Sequence, residues 1–168
     1  MQTISSSSDR PGGATQGFDS PGVRLPPPLL YIAAFLIGLA LQARFPLPFL
    51  AQPVALGLGA ALAAVGALCI VTSIPAMLRG HGTLNTAGPS VALVVSGPYR
   101  YSRNPMYLGL VLLFTGAAVM LADTWALLFV LPLVLYTQTR VILPEERYLQ
   151  RAFGDTYRAY CSHVRRWL

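Results

Sequence analysis

Four apolar blocks, Leu29 to about Phe45, Val54–Leu78, Tyr107–Ala122 and Trp125–Leu143, leave this chain few ways to fold. A bilayer core asks for about 20 apolar residues per helix, and blocks of this length fill most of a chain of 168 residues. Only 11% of the residues are charged, against roughly 25% in a soluble domain, which leaves too little polar surface to cover such blocks in water. The pattern predicts an all-α polytopic membrane protein, with about four transmembrane helices and amphipathic helices at the C-terminus. The first block is short for a span unless the F-P-L-P-F run after Arg44 completes it at the interface. The second, with Gly57, Gly59, Ala60, Ala63, Ala64, Gly66 and Ala67, suits close helix approach and reads as the packing centre of the bundle. Only Asp123-Thr124 separates the last two blocks, so they form a tight hairpin with Asp123 as its cap.

Residues 1–28 are poor in apolar residues and read as a disordered tail ahead of a membrane domain at 29–168. The tail has no short apolar core with a small-residue cleavage site, so it is not expected to be removed. Pro26-Pro27-Pro28 reads as a stiff spacer closing it. All twelve basic residues are arginine and the net charge is +6. They flank apolar runs instead of forming one basic face, which argues against nucleic acid. Arg79, Arg100 and Arg103 follow the second block and Arg147, Arg151, Arg158, Arg165 and Arg166 the fourth, whereas the opposite side has only Arg44. The positive-inside rule then puts both termini in the cytoplasm. Cys69 and Cys161 have no metal-type spacing, and His81 has no second His or Cys nearby, so neither a disulfide nor a metal site is inferred.

Two segments carry chemistry. The first, S-G-P-Y-R-Y-S-R-N-P-M-Y-L-G from Ser96 to Gly109, sets a polar stretch with two turn-forming pairs, Gly97-Pro98 and Asn104-Pro105, between apolar blocks. Arg103 offers a planar fork for a carboxylate or phosphate, and Tyr99 and Tyr107 offer rings for stacking or cation–π contact. The same residues also fit a membrane-edge loop of belt tyrosines and topogenic arginines. The second begins at Pro144, suited to start a helix, with Glu145 and Glu146 in the first turn, where acids favour the helix dipole. Gly154 marks a stop, and Asp155 is placed to cap a short helix on which Tyr157, Tyr160, Val164 and Trp167 recur at helical spacing. Such a helix either lies on a membrane or closes over the bundle.

The Ser96–Gly109 run, preceded by Leu93-Val94-Val95 and followed by Glu145-Glu146-Arg147-Tyr148-Leu149 and F-G-D-T-Y-R-A-Y, resembles the isoprenylcysteine carboxyl methyltransferase family, relatives of the phospholipid N-methyltransferases. The resemblance spans roughly residues 55–168 and implies a membrane enzyme using S-adenosylmethionine. It implies cofactor contacts at Leu93, Val94, Tyr99, Asn104, Pro105, Met106, Tyr107, Glu145 and Glu146, and places Arg103, Asn104 and Arg140 on the catalytic side. Asn104 replaces the commoner His of the R-H-P-x-Y element, and Val91-Ala92 replace a His-Thr pair. Asn cannot titrate near neutrality, so position 104 orients the cofactor instead of moving a proton. Transfer to an ionised carboxylate needs no base, only in-line approach in a dry site. A carboxylate, or a thiol, on a lipophilic molecule is therefore the reading, the carboxylate first, with a phospholipid amine, or a non-catalytic scaffold or transporter, as alternatives. Gly80-His81-Gly82 serves either as a cofactor G-x-G or as a helix exit, and Arg140 faces either a pocket or the interface by snorkelling.

Overall fold

The computed structural model describes residues 26–47, 49–81 and 93–168, and the described residues contain helices and no strand. They form α1 (Pro27–Arg44), α2 (Gln52–His81), a 3-10 turn (Gly97–Arg100), α3 (Pro105–Met120), α4 (Thr124–Tyr136), a π-helical segment (Thr137–Ile142) and α5 (Leu143–His163). Three stretches are long and apolar enough to cross a membrane: Pro27–Arg44, Gln52–Leu78 and the helix that begins at Thr124, while apolar α3 is shorter at 16 residues. The chain is thus an all-helical integral membrane protein. Its exposed leucines, isoleucines and valines, on α1, α2 and α4 above all, are what lipid contact requires.

The helix order across the bundle is α2, α3, α4, α1. The packing centre is α3, which meets all three neighbours, and not the glycine-rich α2. Gly59 and Gly66, on one helical face of α2, lie against α3. A Cβ at Gly59 would come within 2.6 Å of the Gly116 carbonyl, and one at Gly66 within 2.7 Å of the Gly109 carbonyl. Gly57, off that face, meets nothing within 4 Å. On the other flank of α3, Phe114 makes T-shaped contacts with Tyr31 and Phe35, ring centroids 5.5 and 5.7 Å apart, joining a core with Ala118, Ala126 and Leu133. The hydroxyls of Tyr31 and Thr137 lie 3.2 Å apart and pair in this apolar setting, where neither has water to turn to.

Two proline expectations change. Pro27 and Pro28 are the first turn of α1 and not a spacer, because proline lacks the N–H that a first turn leaves unpaired anyway. Pro144 does not open a separate helix: α4 continues through the π segment into α5. Proline cannot donate to the ladder and its ring crowds the carbonyl four residues back. The wider π turn just before it makes room, a device frequent near functional sites.

At the α3–α4 hairpin, Ala122 takes φ 51° and the Asp123 N–H reaches the Ala118 carbonyl at 2.9 Å, closing α3 in the manner of a left-handed helix cap. Asp123 caps α4 as expected, its Oδ1 accepting the Ala126 N–H at 2.9 Å. The residue is fully buried, and its Oδ2 has no hydrogen-bond partner among the described residues. Replacing Asp123 by Ala should cost about 1 kcal/mol through loss of the cap, whereas Asp123→Asn keeps the accepting oxygen and removes a buried charge. Thermal unfolding in detergent should rank Ala below wild type and Asn at or above it.

Candidate functional site

At the end of the bundle where α1 begins and α4 ends, the segment entering α3 and the first turns of α5 enclose a cavity of about 280 Å³, close to the roughly 300 Å³ lower bound for small-ligand pockets. Of the residues singled out from the sequence, Leu93, Val94, Tyr99, Arg103, Asn104, Met106, Tyr107, Glu145 and Glu146 line it. Pro105 and Arg140 do not: Pro105 is buried in the first turn of α3, and Arg140 is exposed on the π segment. Gly82, Val91 and Ala92 lie outside the described residues, as do the side chains of Gly80 and His81.

Local backbone explains how the loop reaches inward. Gly97 takes φ 63°, a region that only glycine enters readily, and Pro98 sits in the first positions of the 3-10 turn that delivers Tyr99. Asn104 stands ahead of α3 at φ −131°, ψ 52°, outside the helical region that the following proline disfavours. Its backbone N–H donates to the Ser102 hydroxyl at 3.1 Å and its side-chain amide to the Arg166 carbonyl at 3.1 Å. The amide therefore ties two chain segments together.

The two glutamates have different surroundings. Glu146 accepts both arms of the Arg166 guanidinium, at 2.9 and 2.8 Å, and lies 3.2 Å from Arg103 Nη1. Glu145 instead faces the Tyr107 hydroxyl. It lies beyond the apolar part of its helix. Burial lifts its proton affinity above the usual carboxylate range, the Tyr107 hydroxyl lowers it in part, and the Glu146 charge adds to the rise. Burial likewise raises Tyr99, with a contribution from Glu145.

The cavity roof comes from residues given no site role in the sequence: Met77 on α2 and Leu149, Tyr157 and Tyr160 on α5. The Tyr160 hydroxyl donates to the Tyr99 carbonyl at 2.6 Å, and the Tyr157 and Tyr160 rings stand 6.2 Å apart. Their helical recurrence was legible, and the end of the bundle was one of its two expected destinations. The helix breaks at Gly154 (φ 52°), where the sequence expected a stop. Asp155 pairs with Arg158 at 2.9 Å on the surface. The periodicity fails at the end, since the helix stops at His163 and Val164 is extended (φ −121°, ψ 128°). There the Arg165 and Arg166 carbonyls accept from Arg103 and Asn104 instead of continuing a helical ladder.

A second cavity, of about 330 Å³, shares Arg103, Glu146 and Tyr157 with the first and is lined further by Arg147, Arg158, Arg166, Gln150, Cys161 and Leu143. Arg103 Nη1 also contacts Cys161 Sγ at 2.9 Å. The site thus joins a largely apolar and aromatic chamber, in which Glu145 is the acid free of an arginine partner among the described residues, to an arginine-rich one, with the Arg103–Glu146 pair between them.

The family model for phospholipid methyltransferases matches residues 54–156, from α2 to just past the Gly154 break. An uncharacterized protein of Haemophilus influenzae is 41% identical over 63 residues, which are 38% of this chain and the whole of that protein. No solved structure matches.

Proposed function

The chain belongs to the phospholipid methyltransferase family, and from that premise we propose that its first cavity binds S-adenosylmethionine and that the methyl group passes to a lipophilic acceptor reached from the bilayer. The observation that carries this reading is the cavity lining, where Glu145 stands beside Tyr107 among apolar and aromatic side chains while Glu146 is held by Arg166 and Arg103. The lining fits the donor. Glu145 offers a buried carboxylate to the donor's ammonium group, the faces of Tyr99, Tyr157 and Tyr160 suit a sulfonium by cation–π attraction, and Leu93, Val94 and Met106 suit the adenine.

When bound, the donor supplies an electrophilic methyl group; the chain's residues orient the partners and keep water out. Arg103, which lines both cavities, is placed to draw an anionic acceptor group toward the donor. Asn104 holds Arg166 and so steadies that wall. With a non-titrating residue at 104, an acceptor already ionised is favoured, and a lipophilic carboxylate is our first reading. A phospholipid amine is the second, favoured by the description of the matching family, and the arginines of the second cavity would then meet its phosphate. We place both termini and the site on the cytoplasmic side, from the arginine distribution. Incubating the purified protein with methyl-labelled donor and host lipid extract should yield lipid-soluble label. Label released by mild base identifies an ester and supports the carboxylate, base-stable label points to an amine or a thioether, and no lipid label overturns every one of these readings.

A further inference from the structure

The last five residues make contacts that their place in the sequence does not suggest. They lie beyond the segment that the family model matches, and they run back across the site as an extended strap. The Arg103 N–H donates to the Arg165 carbonyl at 3.0 Å and the Asn104 amide to the Arg166 carbonyl at 3.1 Å. The Trp167 indole N–H donates to Gln138 Oε1 at 2.7 Å, tying the strap to the π segment. Between these anchors the Arg166 guanidinium grips Glu146 through both of its oxygens.

We infer that Arg166 is a positioning residue of the donor cavity: it pins Glu146 against Arg103, so that Glu145 alone offers its charge to a cationic ligand. This rests on the donor-binding reading above. Successive helical residues project about 100° apart, since 3.6 residues make a turn, so fixing Glu146 fixes how the first turn of α5 presents Glu145 to Tyr107. Charge works in the same direction. Glu145 is faced by Tyr107 from α3, by Tyr99 from the 3-10 turn and by Glu146 on its own helix. A Glu146 balanced by two guanidinium groups repels a neighbouring carboxylate less than one held by Arg103 alone.

Binding of S-adenosylhomocysteine to the full-length protein in detergent, measured by calorimetry from acid to neutral pH, tests the inference. Arg166→Gln should weaken binding roughly 10-fold, the scale of weakening a charge-assisted, two-bond contact in a partly buried site. The pH below which binding fails should also move upward, because Glu145 then holds its proton more tightly. In a Glu146→Gln background the same change should cost less than about 2-fold, since the two residues act as one unit. Arg166→Lys, which keeps the charge but not the fork, should fall between wild type and Gln, and it carries the test if the Gln variant does not fold. Equal losses in both backgrounds, an unmoved pH limb, or wild-type affinity in the Lys variant would overturn the positioning role. Wild-type protein that does not bind at all would overturn the donor reading itself.

Discussion

Glu145→Gln should abolish measurable S-adenosylmethionine binding, weakening it by about 100-fold or more. Stripping the partner from a buried charge costs about 3–5 kcal/mol, and each 1.4 kcal/mol is a factor of ten. Glutamine preserves shape and the possibility of a Tyr107 hydrogen bond, so folding should be nearly unaffected and the loss assignable to charge. The pH dependence has a definite sign. Burial raises the proton affinity of Glu145, and only the ionised carboxylate pairs with the ligand's ammonium group. Affinity should therefore hold at neutral pH and fall, as pH drops, at a higher pH than for an ordinary glutamate. Calorimetric titration of wild type and variant across that range checks both statements, and a Glu145→Gln variant that binds as wild type does would sink the donor reading.

What was legible in advance was local. Four apolar blocks, a cap at Asp123, a break at Gly154 and two polar segments that must be near one another are all encoded in short windows, where chain direction and residue type suffice. Arg166 was not legible in this way. Its partner Glu146 lies twenty residues earlier, and they meet only because the chain leaves the helix after His163, where an unbroken helical pattern would have carried Trp167 onward. Arg140 is nearer the acids in sequence, yet it stands exposed on the π segment. In sequence the acidic pair reads as one unit, whereas a 100° step on a helix gives its members different partners. The role of α3 was hidden for a related reason. Small residues on α2 announce a close approach, but only the fold says which helix receives it and which helix has three neighbours.

That close approach carries the second large effect. Gly66→Leu should prevent the bundle from assembling, with folded, monodisperse protein largely absent from detergent extracts. A Cβ at Gly66 would stand 2.5 Å from the Leu113 nitrogen and 2.7 Å from the Gly109 carbonyl, backbone atoms that cannot rotate away. Overpacking commonly costs about 1–3 kcal/mol where side chains can adjust, and here two helix backbones must separate along the seam, giving up the close packing that holds helices together in lipid. Gly57→Leu is the control: it lies on the same helix, meets nothing within 4 Å, and should leave yield and thermal stability near wild type. The site would register even a partial failure, since Met77 on α2 and Met106 with Tyr107 on α3 line the same cavity. A milder Gly66→Ala variant that still folds should therefore lose donor affinity as well as stability, because the width of the chamber is set by how closely α2 lies on α3. Loss of stability with donor affinity intact would separate the seam from the site.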